Sequence, residues 1–89
     1  MAYDTKVKDR QHQLLQIARD VFEVVEHDDD EHRLRDLADL TLALKPLLDE
    51  LPNYPDLGQD LHEYALLKSE GEETEAERVR VEEMLRPDA

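Results

Sequence analysis

The chain has 89 residues, no cysteine, and a formal net charge of −13 from 24 acidic and 11 basic side chains. This length predicts a single acidic domain over residues 1–89. The missing cysteines exclude disulfides, thiolate metal sites and thiol catalysis. The negative charge argues against nucleic acid or an anionic membrane as the main partner. No apolar run is long enough to span a bilayer, so we expect a soluble, cytoplasmic protein.

The first predicted helix covers residues 4–27, which no glycine or proline interrupts. Either Asp4 or Thr5 is suited to cap its first turn, because both side chains accept hydrogen bonds from free backbone amides. Apolar residues recur at helical spacing and predict the buried side of this helix: Val7, Leu14, Ala18, Val21 and Val25.

A second helix is predicted to begin at the acidic run and to end at Leu51. Asp28 followed by Glu31 has the form of a capping box, and clustered acids suit the positive end of a helix. Pro46 lies inside the apolar pattern and predicts a kink, because proline removes one backbone donor. The spacing predicts a buried seam formed by Leu34, Leu37, Thr41, Leu44, Leu48 and Leu51.

Two shorter helices are predicted to complete the fold. Asp56 is placed to cap the third, and Gly71 is suited to a left-handed cap after it. The fourth begins at Ser69 or Thr74, each followed by a glutamate at the third position, and its sparse apolar residues predict loose packing. We therefore predict an all-α fold, a small antiparallel helical bundle of three to four helices.

The second helix carries more apolar surface than its neighbours in such a bundle can cover. A contiguous apolar patch on a soluble protein usually marks a contact. We expect a protein partner to bind there, first of all a second copy in a homodimer. The residues assigned to this binding surface are Leu40, Leu42, Leu47 and Leu51.

The densest group of potential metal ligands surrounds the acidic run. On a continuous helix, His27 with Glu31, or Asp28 with His32, would share a face, as a metal needs for two ligands from one element. The alternative reading is a solvated linker, because the same residues lie where a helix break is predicted.

A second carboxylate pattern consists of two pairs at helical spacing. Glu23 and Glu26 on the first helix and Asp36 and Asp39 on the second would face each other across an antiparallel hairpin. Four converging carboxylates can hold Mg²⁺ against nucleotide phosphates. The pattern resembles the arrangement of the all-α nucleoside triphosphate pyrophosphatases, although their second pair begins with Glu where this chain has Asp36. The resemblance implies an alternative function as a Mg²⁺-dependent nucleotide pyrophosphohydrolase.

The remaining residues offer little chemistry for catalysis. Ser69 is the sole serine, and no glycine-rich turn is present to hold a phosphate. We therefore expect no enzyme activity and no cofactor, and the main prediction is an acidic protein-interaction or regulatory module. Three explanations of its acidity stay open: solubility with adaptation to high salt, mimicry of DNA on a basic protein surface, and an inhibitor, antitoxin or immunity type of partner.

Overall fold

The computed structural model describes the backbone of residues 2–86 and the side chains of residues 9–86. It contains four helices and no strand within that range, which confirms the all-α bundle. Across residues 2–86, none of the helices combines the length and the apolarity that a bilayer crossing requires. The helices are α1 (Ala2–His27), α2 (Glu31–Leu48), α3 (Leu57–Ser69) and α4 (Glu75–Leu85).

Helices α1, α2 and α3 run antiparallel to their chain neighbours. Arg10 in the first half of α1 forms an ion pair of 3.0 Å with Glu50, just after α2. The start of α3 lies against the end of α2, where a Cβ added at Gly58 would stand 3.2 Å from the Lys45 Cα. Short connections allow this up-and-down order.

Helix α4 runs antiparallel to α1 and closes the bundle. The Arg19 Nε donates to the Leu85 carbonyl at 3.0 Å. Two turns later in α1, Glu26 lies 3.7 Å from Arg78, which is two turns before Leu85 in α4. Arg78 also pairs with Glu82 at 2.6 Å. Because α1 has 26 residues and α4 only 11, α4 covers only the second half of α1.

Lys68 joins α3 to the C-terminal end of α1. Its Nζ donates to the carbonyls of Val25 and Glu26 at 2.6 and 2.8 Å. These carbonyls belong to the last turn of α1 and have no partner within the helix. A cation at this end also opposes the negative end of the helix dipole, so Lys68 stabilises the junction of α1 and α3.

The core lies between the second half of α1 and the other three helices. Tyr64 is 2% exposed, and its ring centroid lies 5.4 Å from that of Phe22. Burial raises the pKa of the Tyr64 hydroxyl to about 12, so the hydroxyl stays protonated at neutral pH. The buried apolar residues are Leu14, Ala18, Val21, Val25, Leu34, Ala38, Leu48, Leu51, Leu57, Leu61, Tyr64, Ala65, Val81 and Leu85.

The predicted ends of α2 were wrong at both sides. The N-cap is Asp30, whose Oδ1 accepts from the backbone amides of His32 and Arg33 at 2.8 and 3.2 Å. Asp28 instead accepts from the Asp30 amide and from Arg33. Regular helix stops at Leu48 rather than Leu51, because the chain turns through two further residues before the Pro52 connection. Pro46 lies inside α2, as predicted.

Most of the predicted seam of α2 is buried, and its centre is shifted slightly toward α3. Leu34, Thr41 and Leu48 are buried as predicted. Leu37 and Leu44 are only partly buried, and Ala38, which was not assigned to the seam, is 2% exposed. Helix α3 approaches α2 closely at Gly58, where a Cβ would meet Lys45 at 3.1–3.2 Å. The absence of a side chain at Gly58 permits this approach, and the small Ala38, about two turns before Lys45 in α2, is buried on the same side.

The C-terminal half agrees with the sequence in part. Gly71 has a φ of +75°, the left-handed conformation predicted for it. Asp56 and Thr74 hold the N-cap positions of α3 and α4 without a side-chain cap bond. Ser69 is buried within α3 and does not begin α4. The proposed cap at Asp4 or Thr5 lies outside the described side chains.

The expectation of loose packing for α4 was wrong. Val81 is 0% exposed and Leu85 is 5% exposed. Few apolar residues suffice because α4 is short and packs against both α1 and α3.

Candidate interaction surface

Six large apolar side chains in the described range remain more than a third exposed. They lie on three helices, so the structure is needed to decide which of them form one continuous patch. Their exposed fractions are 41% for Ile17, 49% for Val24, 44% for Leu40, 54% for Leu42, 38% for Leu47 and 39% for Leu66.

Four of these side chains share the outer side of the α1–α2 pair. Val24 and Leu37 line one cleft of about 200 Å³ together with Asp36, which places this side of α1 next to this side of α2. Ile17 stands two turns before Val24, and Leu40 and Leu47 follow Leu37 at helical spacing. We call this surface the α1–α2 apolar face and define it by Ile17, Val24, Leu37, Leu40, Leu44 and Leu47.

The structure separates Leu42 and Leu51 from the other two leucines assigned to the binding surface. Leu42 follows Leu37 by five residues, about 140° around a helix, and so lies on the opposite side of α2. Leu51 is 2% exposed, because the chain turns inward after α2 and carries this side chain into the core. The assignment of Leu51 to an exposed surface was therefore wrong.

The charges beside the α1–α2 apolar face are predominantly negative. Its two arginines are occupied, Arg10 with Glu50 at 3.0 Å and Arg33 with Asp28 at 2.9 Å. The Arg33 guanidinium and the Asp30 backbone amide lower the pKa of Asp28, so that carboxylate stays charged.

Two further carboxylates lie beside this face on its solvent side: Asp20 on α1 and Asp36 on α2. Asp20 accepts from Gln16 at 3.0 Å. Among the side chains of residues 9–86, neither of these carboxylates forms an ion pair with a cation. The surface thus combines an apolar stripe with uncompensated negative charge.

The two candidate metal sets do not assemble. Within the described side chains, no three His, Asp or Glu residues come together as a metal site. Of the first set, His27 lies 3.8 Å from Glu26, while Glu31 and His32 are exposed in the first turn of α2. The helix begins at Glu31, so the continuous helical spacing that would join them to His27 is broken.

The four carboxylates of the second set point in different directions. Glu26 faces α4, where Arg78 lies 3.7 Å away, and Glu23 is exposed on α1. Asp36 lines the cleft on the α1–α2 apolar face, and Asp39 is exposed further around α2. The resemblance to nucleotide pyrophosphatases therefore lacks the converging geometry that a shared Mg²⁺ needs.

A polar contact between α2 and α3 was not predicted. The Thr41 hydroxyl donates to the Ala38 carbonyl at 2.8 Å, and the His62 Nδ1 lies 3.0 Å from that carbonyl and 3.1 Å from the hydroxyl. A carbonyl only accepts, so Nδ1 carries the hydrogen in this contact. The contact satisfies a hydroxyl that is buried among leucines. The sequence did contain one signal for this contact: Thr41 at a buried seam position has a hydroxyl that needs a hydrogen-bond partner.

The single serine, Ser69, is buried and forms a hydrogen bond within α3. The Ser69 Oγ donates to the Leu66 carbonyl at 2.6 Å, and the residue is 4% exposed. Its hydroxyl is therefore buried and already donates its hydrogen to a backbone carbonyl, which does not suit a nucleophile.

Comparison with known proteins gives no relative. Neither the protein-family models, nor the curated proteins, nor the solved structures contain a match to this chain.

Proposed function

We propose that this chain is a non-enzymatic protein-interaction module that contacts its partner through the α1–α2 apolar face. The observation that carries the proposal is the exposure of Ile17, Val24, Leu40 and Leu47 on one side of a helix pair. Apolar area left in water costs about 25 cal/mol per Å². A partner that covers this face recovers that free energy, and clustered apolar side chains are typical of contact surfaces.

The chemistry of the chain supports a binding role over a catalytic one. The sole serine is buried and hydrogen bonded, and the chain has no cysteine. The histidine with the most polar contacts, His62, contributes to the α2–α3 contact. A second copy of the chain is one candidate partner, and a different protein is the other.

Site-specific photo-crosslinking tests the proposal. A photoreactive phenylalanine derivative replaces Leu40 in the full chain, which is expressed in the cells from which the gene comes. The matched control carries the same group at Leu42, which is also exposed but lies on the opposite side of α2. We expect a discrete adduct from position 40 and little from position 42, with mass spectrometry identifying the partner as this chain or another protein. Equal labelling at both positions, or no adduct at position 40, would contradict the proposal.

A further inference from the structure

The α1–α2 apolar face has the dimensions of a groove for one helix. From Leu37 to Leu47 it extends over ten residue steps, about 15 Å at 1.5 Å per residue. Two nearly antiparallel helices form its floor, with Leu37 and Leu44 partly buried between them. A helix of about three turns with apolar residues on one side would fill this length, as in other helix-in-groove contacts.

The negative charge beside the groove favours a basic helix over a neutral or acidic one. Asp20 and Asp36 lie along it and form no ion pair with any side chain of residues 9–86, whereas Arg10 and Arg33 already have carboxylate partners. The cleft between Val24 and Leu37 is lined by Asp36 and by the Arg33–Asp28 ion pair, in which the two charges neutralise each other and leave Asp36 as the uncompensated charge. The cleft therefore suits a lysine or arginine whose aliphatic stem contacts the apolar walls while its charge approaches that carboxylate.

A second copy of the chain fits this groove less well. Each copy carries a net charge of −13, and a twofold contact through the same face would bring the aspartates of both copies together. Like charges at an interface oppose association, and complementary charges favour it.

We infer that the α1–α2 apolar face binds a basic amphipathic helix of another protein. This inference rests on the proposed function and adds the chemical class of the partner. The leucine stripe contacts the apolar side of that helix, and the flanking aspartates contact its lysines or arginines.

Three designed peptides test the inference by fluorescence anisotropy with the purified chain. The first is a helix of leucine and lysine with leucines on one side, the second has the same composition in scrambled order, and the third replaces each lysine by glutamate. At an ionic strength of ~0.15 M, which screens long-range attraction, we expect the first peptide to bind at least tenfold more tightly than either of the others.

Two matched variants assign the binding to the groove. Leu40→Asp and Leu42→Asp add the same negative charge to exposed positions of α2, so charge alone would strengthen the binding of a basic peptide to both. We expect Leu40→Asp to weaken binding of the first peptide by about tenfold and Leu42→Asp to leave it unchanged or slightly stronger. Circular dichroism confirms that both variants are folded.

A third measurement does not depend on any variant. Amide chemical shifts of the unmodified chain, followed during titration with the first peptide, should change along the α1–α2 apolar face and not around Leu42 and Leu66. Equal affinity for the scrambled peptide, equal effects of the two variants, or shift changes spread over the whole surface would overturn the inference. If the inference fails while crosslinking from position 40 succeeds, the surface is correct and the class of partner is wrong.

Discussion

Leu47 and Leu48 are neighbours in α2 with opposite surroundings. Leu48 is 0% exposed, and Leu47 is 38% exposed on the α1–α2 apolar face. Truncation to alanine removes the same atoms at both positions. At position 48 it leaves a cavity in the core, and at position 47 it removes atoms that already contact water.

We therefore predict that Leu48→Ala lowers the free energy of unfolding by about 2–5 kcal/mol, and that Leu47→Ala changes it by less than about 1 kcal/mol. Urea denaturation followed by circular dichroism measures both values. Similar losses for the two variants would show that α2 is rotated relative to the structure described above.

The partly buried side chain of Asp60 is a carboxyl group whose ionised form is disfavoured by folding. Burial raises its pKa, and the nearby Asp56, Glu63 and Glu77 raise it further, while Arg80 lowers it. A raised pKa means that the folded chain binds the proton more tightly than the unfolded chain does. The ionised form of Asp60 therefore reduces stability at neutral pH, and protonation restores it.

Asp60→Asn should consequently raise the free energy of unfolding at pH 7. This gain should shrink as the pH falls through the raised pKa of Asp60 toward the ordinary aspartate pKa of 3.8, because the wild-type carboxyl then becomes neutral as well. Thermal unfolding from pH 7 to pH 4 measures the difference. Asp39→Asn is the control for the loss of one negative charge, since Asp39 is exposed. A stabilisation by Asp39→Asn equal to that by Asp60→Asn would assign the effect to net charge alone.

At the level of the helices, the N-terminus of α2 and the N-terminus of α4 are capped differently. The Asp30 Oδ1 accepts from two backbone amides of α2, whereas Thr74 holds the N-cap position of α4 without a side-chain bond. A cap that accepts hydrogen bonds from free amides stabilises a helix by roughly 0.5–2 kcal/mol.

Asp30→Ala should therefore lower the free energy of unfolding by about 1 kcal/mol, and Thr74→Ala should lower it by much less. Chemical denaturation of the two variants side by side tests this difference. If Asp28→Ala has a larger effect than Asp30→Ala, the start of α2 lies nearer to the position predicted from the sequence.

The number, order and approximate length of the helices could be predicted because they depend on local signals. Apolar spacing, Pro46 within a helix and Gly71 after α3 each act over a few residues. The burial of Ala38 and the partial exposure of Leu37 and Leu44 could not be predicted in this way. The apolar residues of α2 cover a broad arc, and the part that becomes buried depends on where α3 packs, which includes its close approach to Lys45 at Gly58.

The same limit applies to the interaction surface. Leu40 and Leu47 were assigned to it from the sequence and are exposed, but Ile17 and Val24 of α1 were not assigned. Their place on the same face depends on the register between α1 and α2, which no local pattern contains. Leu51 was assigned wrongly because its burial depends on the path of the chain after α2.

At the scale of the whole molecule, net charge is the dominant electrostatic property. A charge of −13 on 89 residues produces self-repulsion that favours the expanded, unfolded chain, and dissolved salt screens it. Salt also weakens the ion pairs, but those of Arg10, Arg33 and Arg80 have arginine side chains that are at least half exposed. Exposed ion pairs contribute little to stability, so their loss should not offset the relief of repulsion.

The melting temperature at pH 7 should accordingly rise between about 0.05 and 1 M NaCl, a range over which the screening length falls several-fold. Near the isoelectric point of about 4.5, where the net charge is small, the same salt series should have little effect. A flat response at pH 7 would contradict the repulsion argument and would also remove the explanation of the acidity as adaptation to high salt.

The Lys68 contact at the junction of α1 and α3 has a consequence for covalent labelling. Its amine is held between two carbonyls at 2.6 and 2.8 Å, so an acylating reagent can reach the nitrogen lone pair only after the side chain leaves them. Lys45, by contrast, pairs with one carboxylate on the surface of α2. The rate of acylation at Lys68 relative to Lys45 therefore reports how often this end of the bundle opens, and each acylation at Lys68 removes the charge that would allow it to close again.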